Sequence, residues 1–399
     1  RVRFPASEFF FLFFSICIDK KFKMEVSTVV IDNGSSMIKA GMSGYERPSI
    51  LIPSIVARPK NPNVQTDILA PKEVYIGSDA LKNDGQVSLN ISHPIKDRKI
   101  TSTEDLEKIW GYIFNDKLKV KPEEHPVIIT EPPLTPESTR MESMQIMFET
   151  FNAAAYYTSC PEVFTLFSAG LTSGIAIDSG ETLTDVLPVF ECYPMYHAFS
   201  RLPIGGHQID TYLKRLLLQS GIENPDKKEM EILRDIKEKL CYVTSDLEEE
   251  QQKYEHVNEI EKTYQMPDGP EVHIGAQRFR SVEPLFDPRL IQIQSESLPQ
   301  MIYETINKCG DLKQEMYKKI VLSGGTSLFP GLKERLQKDL TKLVSSNNTK
   351  INVIGNENRN NAAWFGGSIL ASQSSFSMMW ITKDEYHDVG QQILNLKCF

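Results

Sequence analysis

Close cysteine pairs are absent. The six cysteines, Cys17, Cys160, Cys192, Cys241, Cys309 and Cys398, are far apart, which excludes the paired spacing of a zinc site or a redox dithiol and reads as scattered thiols in a reducing compartment. An excess of basic charge is also missing. With 53 acidic against 44 basic residues and a net charge of -9, the chain lacks the surface that neutralises nucleic-acid phosphates, so nucleic acid is not an expected partner. After the first two dozen residues no stretch approaches the roughly 20 apolar residues that a membrane span needs, and no membrane role is expected. Low-complexity tracts are absent from Met24 onward. What remains is a folded, multi-lobed protein, since 399 residues exceed what one core holds and suit roughly two or three domains of ~150 residues.

The first 23 residues stand apart. The aromatic-rich run Phe9 to Ile18, flanked by basic residues, has the look of a short signal-peptide core. No small-residue cleavage site follows it, the chain opens with Arg, and the first patterned strand begins just past Met24. Met24 therefore reads as the start and residues 1–23 as an upstream extension outside the fold.

From Met24 on, short β-rich runs alternate with helical stretches, the pattern of an α/β protein. Val26 to Ile31 reads as a strand, Asp32-Asn33-Gly34-Ser35-Ser36 as a polar glycine turn, and Met37 to Gly41 as a second strand. Gly174 to Ile177, Asp178-Ser179-Gly180-Glu181-Thr182 and Leu183 to Phe190 repeat that unit. One such turn is an ordinary hairpin; two, one in each half, suggest related lobes serving one ligand. Helices are expected over Thr103 to Leu118, Pro136 to Phe151, Lys227 to Asp246, Phe329 to Leu340 and Gly366 to Gln373. Val321-Leu322-Ser323-Gly324-Gly325-Thr326 reads as a strand entering a Gly-Gly turn, where backbone can approach a ligand that a Cβ would exclude.

Two Gly/Ser turns can aim backbone N–H groups and hydroxyls at a polyphosphate. Asp32 and Asp178 suit a divalent cation held mostly through water, and Lys39 can meet a phosphate as a point charge. These motifs, in this order, are similar to the phosphate and adenosine motifs of the actin family. The resemblance extends through Pro53-Ser54-Ile55-Val56, Gln145 to Asn152, Arg234 to Val243, Pro267-Asp268-Gly269, Gly366 to Ser372 and Lys397-Cys398-Phe399, and so covers essentially Met24 to Phe399.

That resemblance implies a two-lobed α/β fold of the kind shared by actins, hexokinases and chaperone ATPases, with a central nucleotide cleft and four subdomains. The small lobe would be 24–168 plus 362–399, with a subdomain at about 54–93; the large lobe would be 169–361, with a subdomain at about 205–293. It implies ATP or ADP with Mg2+ or Ca2+ as ligands. Gly34, Ser35, Ser36 and Lys39, together with Gly180, Glu181 and Thr182, would meet the phosphates. Gly206, Lys237, Glu238, Gly324, Gly325, Thr326 and Phe329 would surround the adenosine, with Asp32 and Asp178 at the metal. It also implies self-association or contact with other actin subunits, binding by actin-binding proteins, and a cytoplasmic, cytoskeletal setting. A subunit role in a larger actin-related assembly is the alternative; a sugar-kinase-like phosphotransferase is a remote one, because neither an acidic base motif nor a sugar-binding loop is evident.

The departures from that family concern hydrolysis and assembly. Pro161 stands where actin has a water-positioning glutamine, and Asp185 where it has a histidine. Proline has no side-chain donor or acceptor to orient water, and Asp185 would bring an anion toward anionic phosphates. Glu162, next to Pro161, is the one residue that could take over. Glu181 and Thr182 replace Asp and Gly, Ser36 a glycine, Asp97 a histidine, Arg98 a glycine and Asn360 a lysine. The loop Asn61 to Lys72, which corresponds to the actin segment that inserts into a neighbouring subunit, keeps its apolar character only in Ile68 and Leu69, and the N-terminal acidic cluster is reduced to Glu25. Slow hydrolysis and weak self-association are the expectations.

Overall fold

A computed structural model describes residues 27–60, 73–83, 88–222, 229–256, 260–266, 269, 271–344 and 349–398. The readings of residues 1–23, Met24, Glu25, the loop 61–72, Pro267-Asp268 and Phe399 lie outside the described residues. The chain divides into two compact units: the described residues of Arg1–Ser173, Val189–Pro194 and Asn361–Phe399 make the first, and Gly174–Pro188 with Met195–Asn360 the second.

The first unit is built on a mixed sheet. Strand β1 (Val29–Asn33) pairs antiparallel with β2 (Met37–Met42), which pairs antiparallel with β3 (Ile50–Pro53). On its other side β1 runs parallel to β4 (Pro126–Thr130), and β4 parallel to β5 (Ala155–Ser159). Every residue of β1 is buried, as its unbroken apolar start Val29-Val30-Ile31 requires of a central strand covered on both faces. Helix α1 (Thr103–Tyr112) starts on a Ser102 hydroxyl that accepts from the Asp105 N–H, and α2 (Glu137–Gln145) follows. Both expected helices reach their predicted ends through a π-helical last turn, Ile113–Leu118 and Ile146–Thr150. Helix α3 (Pro161–Ser168) opens with its proline at the first position, where the missing N–H costs no hydrogen bond.

The second unit carries the repeat. Its sheet runs β7-β6-β9-β10, from β6 (Gly174–Ser179), β7 (Thr184–Phe190), β9 (Ile320–Ser323) and β10 (Val353–Ile354), with β8 (Ser200–Leu202) antiparallel to β7. Strands β6, β9 and β10 are mutually parallel. The unit also holds α4 (Gly206–Gln219), which packs against α5 (Glu229–Leu240), and α6 (Leu332–Leu343), which packs against β10. Helix α5 is shorter than the expected Lys227 to Asp246 span. It stops at Leu240 because Arg278 Nε donates to the Leu240 carbonyl (2.9 Å) and the Val243 N–H donates to Pro330 O (2.8 Å), so tertiary partners take the backbone groups that a continued helix would need. The start of α6 moves from Phe329 to Leu332 because Gly331 adopts φ 82, a left-handed turn that glycine tolerates.

The chain returns to the first unit with α7 (Ala362–Ala371) and β11 (Ile381–Thr382), the latter beside β5. The expected helix at Gly366 begins four residues earlier. It packs on α3 so closely that a Cβ on Gly366 would lie 1.7 Å from Phe164 O, and one on Gly367 2.9 Å from Val30 Cγ1. Trp364 is fully buried there and donates to Val30 O at 3.0 Å. Gly366→Ala cannot be relieved by a side-chain rotation, since the obstacle is backbone. It is expected to destabilise the protein by about 3 kcal/mol, read as a lowered denaturation midpoint at unchanged slope.

Candidate functional site

In the first unit the β1–β2 hairpin places the first turn. Asp32 and Lys39 are cross-strand partners in its register, which brings the Lys39 ammonium to 2.8 Å from Asp32 Oδ2, as directly opposed residues permit. Asp32 Oδ1 accepts from the Thr130 hydroxyl (2.9 Å), whose own oxygen accepts from the Asn33 N–H (2.8 Å). The carboxylate is thus oriented by two direct neighbours, one of them itself held by the Asn33 N–H. Gly34 is required locally: its Cβ would fall 2.4 Å from Met37 O. Ser35 and Ser36 are partly exposed.

One guanidinium holds this turn to α3. The hairpin Ile95–Lys96/Lys99–Ile100 turns through Asp97 (φ 49) and Arg98 (φ 54), the left-handed pair of a two-residue type I′ loop. The Arg98 N–H donates to Ser35 Oγ (3.3 Å), and its Nη1 reaches Glu162 Oε1 at 2.9 Å. Glu162 is fully buried in the first turn of α3, where the helix dipole favours a carboxylate. The residue that could have substituted for Pro161 is therefore committed to Arg98.

In the second unit the turn between β6 and β7 is woven into α4 and the Gly-Gly turn. Gly180 O accepts from the Gly206 N–H (3.0 Å) and from the Thr326 hydroxyl (2.7 Å), and Glu181 O accepts from the His207 N–H (2.7 Å). A Cβ on Gly206 would lie 3.0 Å from each of Glu181 Oε2, Lys237 Nζ and Thr326 Oγ1. Three polar groups thus converge on a glycine. The two glycines of the Gly-Gly turn differ in kind. Gly324, at φ 85, sits where a Cβ would meet Ser179 O at 2.1 Å and Asp178 Oδ1 at 2.5 Å, whereas Gly325 has open space on its Cβ side. On its Cβ side Gly324 thus faces the end of β6, while Gly325 faces open space. Phe329 is buried and Glu238 is exposed on α5.

Asp185, expected to bring an anion toward the phosphates, is held in an ion pair. It is the cross-strand partner of Arg201, which grips it through Nε–Oδ1 (2.6 Å) and Nη2–Oδ2 (2.8 Å), and the carboxylate is fully buried. A bidentate pair of this kind offsets the charge.

Reading the sequence left out several residues that structure the site. Asp210 pairs with Lys237 (2.9 Å), Arg234 with Glu181 (2.8 Å), and the Arg359 guanidinium clamps Ser327 O from Nε (3.0 Å) and Nη2 (2.6 Å). Burial raises the Asp210 carboxyl above the usual aspartate range, with the Lys237 ammonium pulling the other way. The helical spacing of Gly206 and Asp210 was the available signal for that pair; nothing in the sequence marks Arg359.

The residues present fit a nucleotide and a hydrated cation. The buried Thr182 hydroxyl has no hydrogen-bond partner among the described residues, and neither does Asp210 Oδ1, two polar atoms whose needs a ligand or water can meet. Among the described residues no group of three or more His, Cys, Asp or Glu is arranged to hold a metal directly. No helix of the described residues is long and apolar enough to cross a membrane. In comparison with known protein families, the chain matches the family model described as Actin over residues 23–399.

Proposed function

Because the chain belongs to the actin family, we propose that it is an ATP-binding, actin-like cytoskeletal protein that forms or joins filaments and hydrolyses ATP slowly. The observation that supports this most directly is the convergence of Glu181, Lys237 and Thr326 on Gly206, each 3.0 Å from where a Cβ would stand, together with a buried Thr182 hydroxyl that has no hydrogen-bond partner among the described residues. In this reading Gly34, Ser35, Ser36 and Lys39 meet phosphate, as do Gly180, Glu181 and Thr182. Gly206, Lys237, Glu238, Gly324, Gly325, Thr326 and Phe329 meet the adenosine, and Asp32 and Asp178 act at Mg2+ or Ca2+. When bound, the cation supplies charge neutralisation for the phosphates; the protein supplies orientation. The lobe and subdomain boundaries given above belong to the same proposal, as do actin-type subunits and actin-binding proteins as partners.

ATP with Mg2+ at about 1,000 times the dissociation constant is expected to stabilise the fold by about 4 kcal/mol. Asp178→Ala should remove the cation-dependent part of that stabilisation. Lys39→Ala should weaken ATP binding more, because it deletes a phosphate donor and also releases the Asp32 carboxylate that it now pairs. Thermal melts of the three proteins, with and without ATP and cation, check this; a melt indifferent to ligand in all three would sink the nucleotide reading. Sedimentation after addition of salt and ATP tests assembly. Weak self-association with recruitment into a host filament is expected, and a protein that sediments neither alone nor with actin belongs to the complex-subunit reading instead.

A further inference from the structure

On α4, Asp210 lies four residues after Gly206, on the same face. Lys237, on α5, is only 5 % exposed and spends two of its three N–H groups within the protein, donating to Gly206 O (3.1 Å) and Asp210 Oδ2 (2.9 Å). Three residues earlier on that helix, Arg234 pairs with Glu181. The wall around Gly206 therefore carries two cations and two carboxylates in matched pairs. An unpaired lysine here would present a full positive charge to a ligand's phosphates; this one does not.

We propose that Asp210 is a specificity-determining residue: by holding the Lys237 ammonium in a buried ion pair it makes the Gly206 wall electrically neutral, so that the site selects a nucleoside by hydrogen bonding and gains little from each added phosphate charge. The inference rests on the nucleotide reading above and deepens it. Asp210 Oδ1, fully buried and without a hydrogen-bond partner among the described residues, adds an acceptor for a sugar hydroxyl or a base amine. The third N–H of Lys237 adds a donor. A neutral wall with one acceptor and one donor to spare discriminates by the pattern of hydrogen bonds, and such discrimination is insensitive to salt. A charged wall discriminates by net charge and weakens as salt rises.

The test compares ATP, ADP and adenosine, each measured by calorimetry at low and at moderate salt, on the full chain, on Asp210→Asn and on the double variant Asp210→Asn/Lys237→Gln. Asp210→Asn uncovers the lysine charge and is expected to raise the ATP-to-adenosine affinity ratio about five- to tenfold at low salt, with the gain shrinking as salt is added. The double variant restores a neutral wall and should return the ratio to that of the parent, even if all three ligands bind more weakly. Asp210→Thr makes the same change of charge with a smaller side chain and stands in if the asparagine variant does not fold. A ratio unmoved in the single variant, or moved equally in the single and the double, overturns the inference while leaving the nucleotide reading intact. A parent that binds none of the three ligands overturns that reading, and this inference with it.

Discussion

Pro161→Gln is expected to accelerate single-turnover phosphate release on the order of 100-fold over the parent, the factor that one lost orienting group commonly costs. Cleavage of a phosphoanhydride depends on placing water in line with the leaving group, and little other chemistry is asked of the protein. Pro161 has no side-chain group for that task, and its neighbour Glu162 is turned into the protein and held by Arg98 at 2.9 Å, so no carboxylate beside it takes over. The substitution costs α3 little, because Pro161 occupies the first helical position, whose N–H makes no bond within the helix. Asp185 contributes less than its charge suggests. With Arg201 bound to both oxygens, the repulsion expected from an anion is offset, and Asp185→His would strand a guanidinium. Adding that change to Pro161→Gln is therefore expected to give little further acceleration and a less stable protein. A parent that already releases phosphate as fast as the glutamine variant would refute the assignment.

Arg98→Ala is expected to destabilise the protein by about 3–5 kcal/mol, because it takes the guanidinium away from the buried Glu162 carboxylate. Two effects contribute and can be separated. Arg98 adopts φ 54, a conformation that costs a non-glycine residue about 1 kcal/mol or more. Arg98→Gly loses the same ion pair but relieves that strain, so it should be less damaging than Arg98→Ala by about that amount. Glu162→Gln keeps an acceptor for the guanidinium and should cost less than either, while Arg98→Ala/Glu162→Ala should cost less than the sum of its parts, since the second change removes the stranded charge. Urea titrations of the set give these differences directly. Additive losses across the pair would mean that the two side chains do not depend on each other.

The sequence by itself determined a good deal. The strand-turn-strand unit at Asp32 and its repeat at Asp178 were legible because polar glycine turns between β-branched runs have a local cause, and β1, β2, β6 and β7 lie where those runs are. The start of α1 was legible for the same reason, since a capping hydroxyl acts within one turn. Family membership was carried by long shared runs, which need no geometry at all. Only the tertiary structure decided where α5 stops, because Arg278 and Pro330, distant in sequence, take its next backbone partners. It alone decided the ion-pair partners of the site. Asp185, Glu162 and Lys237 were each singled out in the sequence without a partner being named, and strand register and helix packing bring Arg201, Arg98 and Asp210 against them. Local patterns report what a residue is able to do, whereas its electrostatic partner comes from elsewhere in the chain and is set by the pairing of strands and helices. That is why the motif could be read from the sequence and its chemistry could not.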